Sequence, residues 1–168
     1  MKKILSLMIL AFLLSKAMNA QEAIFLKDDK VINVGLGLGS TLYSGSYYSS
    51  SVPPVSISFE KGMVDNVLEK GSIGIGGYAG YSSYKWEYLG WGWRYSNLII
   101  GGRGTFHYPF VEKLDTYTGL LVGAQIVTSK EFGTSIPGFN YNNSSSGLVY
   151  SWYVGGRYYF TDNFAGML

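Results

Sequence analysis

Apolar and polar residues alternate along six stretches of the chain, with an apolar side chain at almost every second position. Successive side chains of a strand point to opposite faces, so this alternation predicts strands with one oily face and one polar face. The stretches are VINVGLGLGS (31–40), PVSISFEKG (54–62), GSIGIGGYAGYS (71–82), the segment 93–109, the segment 115–128 and GLVYSWYVGGRYYF (147–160). No helical period follows residue 20, which predicts an all-β fold.

The connections between these strands fall into two groups. Short, charged joins are VEKLD (111–115) and FTDN (160–163), and longer joins rich in Ser, Tyr, Trp and Asn are 44–52, 82–92 and 129–147. Residues 61–70 belong to the short-turn end by the order of up-and-down strands. Short turns at one end and long loops at the other are typical of a bacterial transmembrane barrel. We therefore predict an antiparallel up-and-down transmembrane β-barrel over residues 31–168.

Aromatic residues gather at both ends of the predicted strands. The group at the loop end contains Trp86, Tyr88, Trp91, Trp93 and Tyr95, and the group at the turn end contains Phe106, Tyr108, Phe110, Tyr158 and Phe160. Amphipathic rings prefer the membrane interface, so two groups with aliphatic residues between them predict two girdles facing lipid. The alternative is an aromatic core in a soluble sandwich.

A cation, Arg103, lies within the otherwise oily, glycine-rich segment LIIGGRGTFHYP (98–109). An arginine facing lipid at mid-depth costs several kcal/mol. Alternation places Arg103 on the face opposite the aliphatic residues, and it assigns Glu60, Gln125 and Arg157 to that inward face as well. A small barrel leaves no wide channel, so inward polar groups have to satisfy one another. We expect a polar network in the lumen in which Glu60 pairs with Arg103 and Arg157.

The N-terminus has the features of a secretory signal peptide. Lys2 and Lys3 precede an apolar run from Ile4 to Leu14, and cleavage is expected after Ala20. A run of that length is too short for a transmembrane helix. Residues 21–30 then form a polar lead-in. Three of the thirteen Lys and Arg residues lie in the signal, so the mature chain carries ten against eleven Asp and Glu, which leaves no basic footprint for nucleic acid.

Few residues are available for catalysis or for a cofactor. The chain has no cysteine and one histidine, His107, so there is no disulfide framework, no thiolate metal site and no credible metal cluster. One histidine without a fixed partner specifies no chemistry. We therefore expect a protein that is not an enzyme and that binds no cofactor or metal.

The chain resembles the small eight-stranded outer-membrane β-barrels of the OmpA/OmpX type. The resemblance covers roughly residues 31–168 and depends on the architecture and on phrases such as GGRGTFHYPF and VGGRYYFTDNFA. It implies a monomer in the outer membrane of a Gram-negative bacterium. It also implies a role in adhesion, surface protection or envelope integrity, with loops 82–92 and 129–147 contacting an extracellular partner.

One departure from that family concerns the strand number. Six full strands are followed by NFAGML (163–168), the start of a seventh, whereas bacterial barrels have an even number of at least eight. Either the sequence lacks about 25 residues at its C-terminal side, by the strand length and turn needed to close the barrel, or the sheet stays open. An open edge in lipid leaves backbone groups unsatisfied, so we expect an incomplete barrel. Two other functions stay open: a small pore, and a soluble lipocalin-like barrel that binds an apolar ligand inside.

Overall fold

Seven strands make up the fold of the residues that the computed structural model describes, which are 24–37, 47–133 and 142–168. The strands are β1 (Lys30–Leu36), β2 (Tyr48–Val67), β3 (Gly71–Tyr88), β4 (Trp91–Val111), β5 (Leu114–Phe132), β6 (Asn142–Thr161) and β7 (Phe164–Met167). They form one antiparallel sheet in which each strand pairs with the next along the chain. The prediction of an all-β, up-and-down antiparallel fold is therefore confirmed.

Some sequence predictions concern residues outside the described ranges. These are the signal peptide (1–20), the first part of the lead-in (21–23), the end of the first predicted strand (38–40), the start of the first long loop (44–46) and the middle of the last one (134–141). Within the described residues, no helix is long and apolar enough to cross a membrane.

The sheet has an apolar convex face and a polar concave face. On the convex face, Ile100 is 55% exposed and Leu148 is 79% exposed, whereas Glu60 on the concave face is fully buried. A guanidinium nitrogen of Arg157 on β6 lies 4.0 Å from a carboxylate oxygen of Glu60 on β2, although four strand positions separate β2 from β6. The sheet therefore curves strongly around its polar face, which is the reverse of a soluble β-protein with an oily core.

The strands extend further than the sequence predicts, so several joins are shorter. Residues 61–67 belong to β2, and only 68–70 form the turn. The predicted long loop 82–92 was wrong in extent, since β3 runs to Tyr88 and β4 begins at Trp91. Leu89 and Gly90 both have positive φ, 50° and 82°, which suits a two-residue hairpin turn that matches the twist of its strands.

The N-terminal residues 24–29 fold back across the turn end of the sheet and are tied to β2. Asp28 N–H donates to the Gly62 carbonyl at 2.9 Å, and Gly62 N–H donates to the Asp29 carbonyl at 2.9 Å. Lys61 Nζ lies 2.8 Å from Asp28 Oδ1, and this ammonium lowers the pKa of the Asp28 carboxyl. The stretch predicted as a plain lead-in is thus a structured turn.

Glycine at position 62 makes this turn possible. A Cβ there would lie 1.9 Å from the Leu26 carbonyl oxygen, so Gly62→Ala is expected to displace residues 24–29 and to cost about 1–3 kcal/mol, as overpacking does. Limited trypsin digestion should then cut faster after Lys27 and Lys30 than in the wild type. Gly104→Ala is the control, because a Cβ at Gly104 meets nothing within 4 Å; equal digestion of the two variants would contradict the role of Gly62.

Candidate functional site

A cluster of five ionisable side chains occupies the concave face near the turn end. Its members, here called the charge cluster, are Glu60 on β2, Arg103 and His107 on β4, Asp115 on β5 and Arg157 on β6. Exposure of these side chains ranges from 0% for Glu60 to 9% for Arg103. Alternation brings them to one face, and the curvature of the sheet brings non-adjacent strands into contact.

His107 is the centre of the charge cluster because each ring nitrogen meets a carboxylate. Its Nε2 lies 2.8 Å from Glu60 Oε1, and its Nδ1 lies 2.9 Å from Asp115 Oδ1. An ionised carboxylate only accepts hydrogen bonds, so a ring nitrogen that carries a proton can donate to its carboxylate. Arg157 Nη2 also lies 3.1 Å from His107 Nδ1, so the imidazole lies between two carboxylates and a guanidinium group.

Arg157 binds the second carboxylate oxygen of Asp115, Oδ2. Its Nη2 lies 2.7 Å from Asp115 Oδ2, and its Nε donates to the same oxygen at 3.0 Å. The guanidinium carbon also lies 5.3 Å from the centres of the Phe25 and Tyr117 rings, a distance at which a cation is attracted to an aromatic face. Arg157 therefore connects the charges to a surrounding aromatic shell.

Arg103 connects the charge cluster to the middle of the sheet. Its Nη1 donates to Ser58 Oγ at 3.0 Å, and its Nη2 lies 3.5 Å from Glu60 Oε2. The guanidinium group lies 4.7 Å from the Tyr153 ring centre. Both arginines expected near Glu60 are thus found there, with Arg103 the closer of the two.

Phe25 covers the charge cluster from the turn end. It is 2% exposed, and its ring centre lies 4.4 Å from that of His107. The phenyl ring comes from the structured turn 24–29, so that turn acts as a cover over the buried charges. Sequence reasoning missed Phe25 because the apolar run 23–26 is too short to show a period.

Two further residues were assigned differently by the sequence. Asp115 was taken as the end of a charged turn, yet it is 1% exposed and binds both His107 and Arg157. Gln125 lies on the predicted face but outside the charge cluster, where its Nε2 donates to Asn97 Oδ1 at 3.3 Å. One signal in the sequence could have identified Asp115. It precedes Tyr117 by two residues, and positions two apart on a strand share a face, which here is the inward one.

The predicted aromatic girdles differ at the two ends. Phe106, Tyr108, Tyr158 and Phe160 lie on the convex face, where neighbouring rings of this set contact each other. The pairing of β4 with β3 has no register shift, so side chains alternate without a break along β4. Trp93 and Tyr95 therefore lie on the concave face, as Asn97 and Arg103 do. This corrects the expectation that Trp93 and Tyr95 face outward.

The charge cluster occupies both ring nitrogens of His107. Both nitrogens of His107 are held by carboxylates, so neither is free to take a proton from a nucleophile. Three buried atoms lack a hydrogen-bond partner within the described residues, namely Glu60 Oε2, Ser72 Oγ and Arg157 Nη1. Among the same residues, no group of His, Asp and Glu could hold a metal ion.

Removing one member of the charge cluster is expected to destabilise the fold strongly. Arg157→Leu leaves Asp115 buried without its guanidinium partner, a loss of about 3–5 kcal/mol. The midpoint of urea unfolding, followed by the mobility of the folded form on a gel, should fall accordingly. Lys113→Gln removes an exposed cation that has no ion pair within the described residues, so it should change stability by no more than about 0.5 kcal/mol.

A double variant measures the interaction between Asp115 and Arg157 apart from the contribution of each side chain alone. Asp115→Leu together with Arg157→Leu should cost less than the sum of the two single changes, because no unpaired charge then stays buried between these partners. Strict additivity, or an Arg157→Leu midpoint equal to that of the wild type, would contradict a coupled cluster.

Comparison with protein-family profiles, with curated proteins and with solved structures finds no significant match to this chain.

Proposed function

We propose that the chain is a non-enzymatic outer-membrane β-barrel protein, similar to the small eight-stranded OmpA/OmpX type. One observation carries this proposal: the apolar face of the curved sheet points outward while the buried face holds ionised side chains. An apolar surface far larger than a few hundred Å² is unusual on a soluble monomer. Hydrocarbon around the convex face removes that difficulty, because the oily side chains then contact lipid.

Strand length supports the same environment. On β4, outward residues are apolar, small or aromatic from Leu98 to Tyr108, a span that matches the roughly 9–11 residues of a tilted transmembrane strand. Aromatic side chains end this belt at the turn end, as in an interfacial girdle. In lipid every backbone group needs an internal partner, so the proposal includes closure of the curved sheet into a barrel.

Export through a cleaved signal peptide to the outer membrane of a Gram-negative bacterium is part of the proposal. So are a monomeric state and a structural, adhesive or protective role in the envelope. The loop end of β3, β4 and β5 continues past the apolar belt and would reach the outside, where residues 82–92 and 129–147 would contact a surface partner.

A pore is the second candidate function, and the charge cluster disfavours it. The five ionisable side chains and Phe25 occupy the concave face at the turn end, beside a cavity of about 660 Å³ between β1 and β7. Farther toward the loop end, the concave face leaves a cavity of about 330 Å³ lined by Ile99, Arg103, Leu121 and Tyr153 among others. In the proposed barrel, the lumen would then have open space in its middle and would be obstructed by the charge cluster at the turn end. A soluble barrel for an apolar ligand needs the opposite arrangement of faces.

Two neighbouring isoleucines on β4 test which face meets lipid. Ile100→Arg puts a cation on the convex face and should cost about 2–4 kcal/mol near mid-depth, whereas Ile99→Arg puts the same cation beside the concave cavity. Folding into lipid vesicles, measured as a gel shift, should fail for Ile100→Arg and persist for Ile99→Arg. A soluble fold predicts the reverse, with release of the wild type from membranes by carbonate.

Electrical recording tests the pore. The wild type reconstituted in planar bilayers should give no steady nanosiemens step, because Phe25 and the charge cluster obstruct the lumen. A stable open conductance would replace the structural role by that of a channel.

A further inference from the structure

Three cations form a row across the convex face at the loop end. Lys85 on β3 pairs directly with Arg94 on β4, and Arg94 pairs directly with Lys130 on β5. The register runs without a shift from the outward Ile100 to Arg94, so alternation places all three on the convex side. We call Lys85, Arg94 and Lys130 the basic row.

Placing like charges directly opposite each other on neighbouring strands is unfavourable by itself. Adjacent strands lie about 4.8 Å apart, and such pairs destabilise a sheet. Lys85 has an ion pair with Glu87 and lies 4.5 Å from the Phe132 ring centre. Arg94 and Lys130 have no acidic partner at salt-bridge distance within the described part of the chain. An external anion would relieve this repulsion.

The nearest other carboxylate faces away from the basic row. Glu131 adjoins Lys130 in sequence, so its side chain lies on the opposite face of β5. Its Oε1 accepts a hydrogen bond from Trp91 Nε1 at 2.5 Å. With Glu87 paired to Lys85, the basic row keeps the positive charges of Arg94 and Lys130.

The basic row lies just beyond the end of the apolar belt. Along the convex face toward the loop end, a row of Tyr81, Leu98 and Ile126 is followed by Ser83, Ser96 and Thr128 and then by the basic row. Arg94 is four residues from Leu98, which is about 14 Å along a strand and about 10 Å in height at the usual tilt. Lipid headgroups occupy that depth, since they add several Å to each side of the hydrocarbon core.

We propose that the basic row binds phosphate groups of lipid headgroups in the leaflet that surrounds the loop end. This inference rests on the proposed membrane function. The arginine fork suits two oxygens of one phosphate, and the lysine on each side adds a point charge for further anionic groups. Phosphate-bearing lipid would thus anchor the barrel at one fixed height and stabilise the loop end of β3, β4 and β5.

The test compares two triple variants that lose the same charge. Lys85→Gln, Arg94→Gln and Lys130→Gln together remove the basic row, and Lys30→Gln, Lys70→Gln and Lys113→Gln together remove three cations from the turn end. Each protein is folded in detergent micelles and titrated with phosphatidic acid, and bound lipid is counted by native mass spectrometry. At about 1 kcal/mol per cation, the first variant should bind about a hundredfold more weakly than the wild type, whereas the control should bind like the wild type.

The other outcomes separate the possible failures. Unchanged binding by the first variant would overturn the basic row as a lipid site while leaving the membrane function intact. Inorganic phosphate that stabilises the wild type as well as the lipid does would assign the row to a free anion instead. A chain that never folds into vesicles would overturn the membrane function, and the lipid site with it.

Discussion

The satisfaction of buried charges on the concave face is the constraint on which the rest of this structure depends. Glu60, His107, Asp115 and Arg157 come from four different strands, and each is at most 2% exposed. Their mutual contacts exist only in one register, because a slip of one residue moves every side chain of a strand to the other face. A buried ion cluster adds little net stability, so we attribute to it the choice of register.

The concave face is layered along the strands. The turn 24–29 and Phe25 close one end, the charge cluster follows, and Arg103 with Tyr153 leads to a cavity of about 330 Å³. At the loop end the same face becomes aromatic, with Trp91 contacting both Trp86 and Trp93. This order supports the proposal of a structural membrane protein rather than a channel.

Toward the loop end, the concave face becomes aromatic, whereas the convex face changes from apolar residues to hydroxyl-bearing residues and then to basic residues. Sequence reasoning took residues 82–92 as a loop because the familiar pattern of oily-out and polar-in ends there. In the structure the alternation continues with reversed polarity, with Lys85 outward and Trp86 inward. Reversal of polarity within one strand is expected where its surroundings change from hydrocarbon to water, so the same feature that obscured the hairpin supports the membrane proposal.

Alternation by itself determined the middle of each strand and the face on which Glu60, Arg103, Gln125 and Arg157 lie, because the side-chain period of a strand is a local property. The lengths of the connections indicated the antiparallel order. Only the tertiary structure decided which of these groups meet. The curvature of the sheet brings β2 to β6, the register pairs Asp115 with Arg157, and Phe25 enters through a turn that Gly62 permits. These contacts join residues that are far apart in the chain. A local sequence pattern cannot predict them, because it contains no information on the distances between strands.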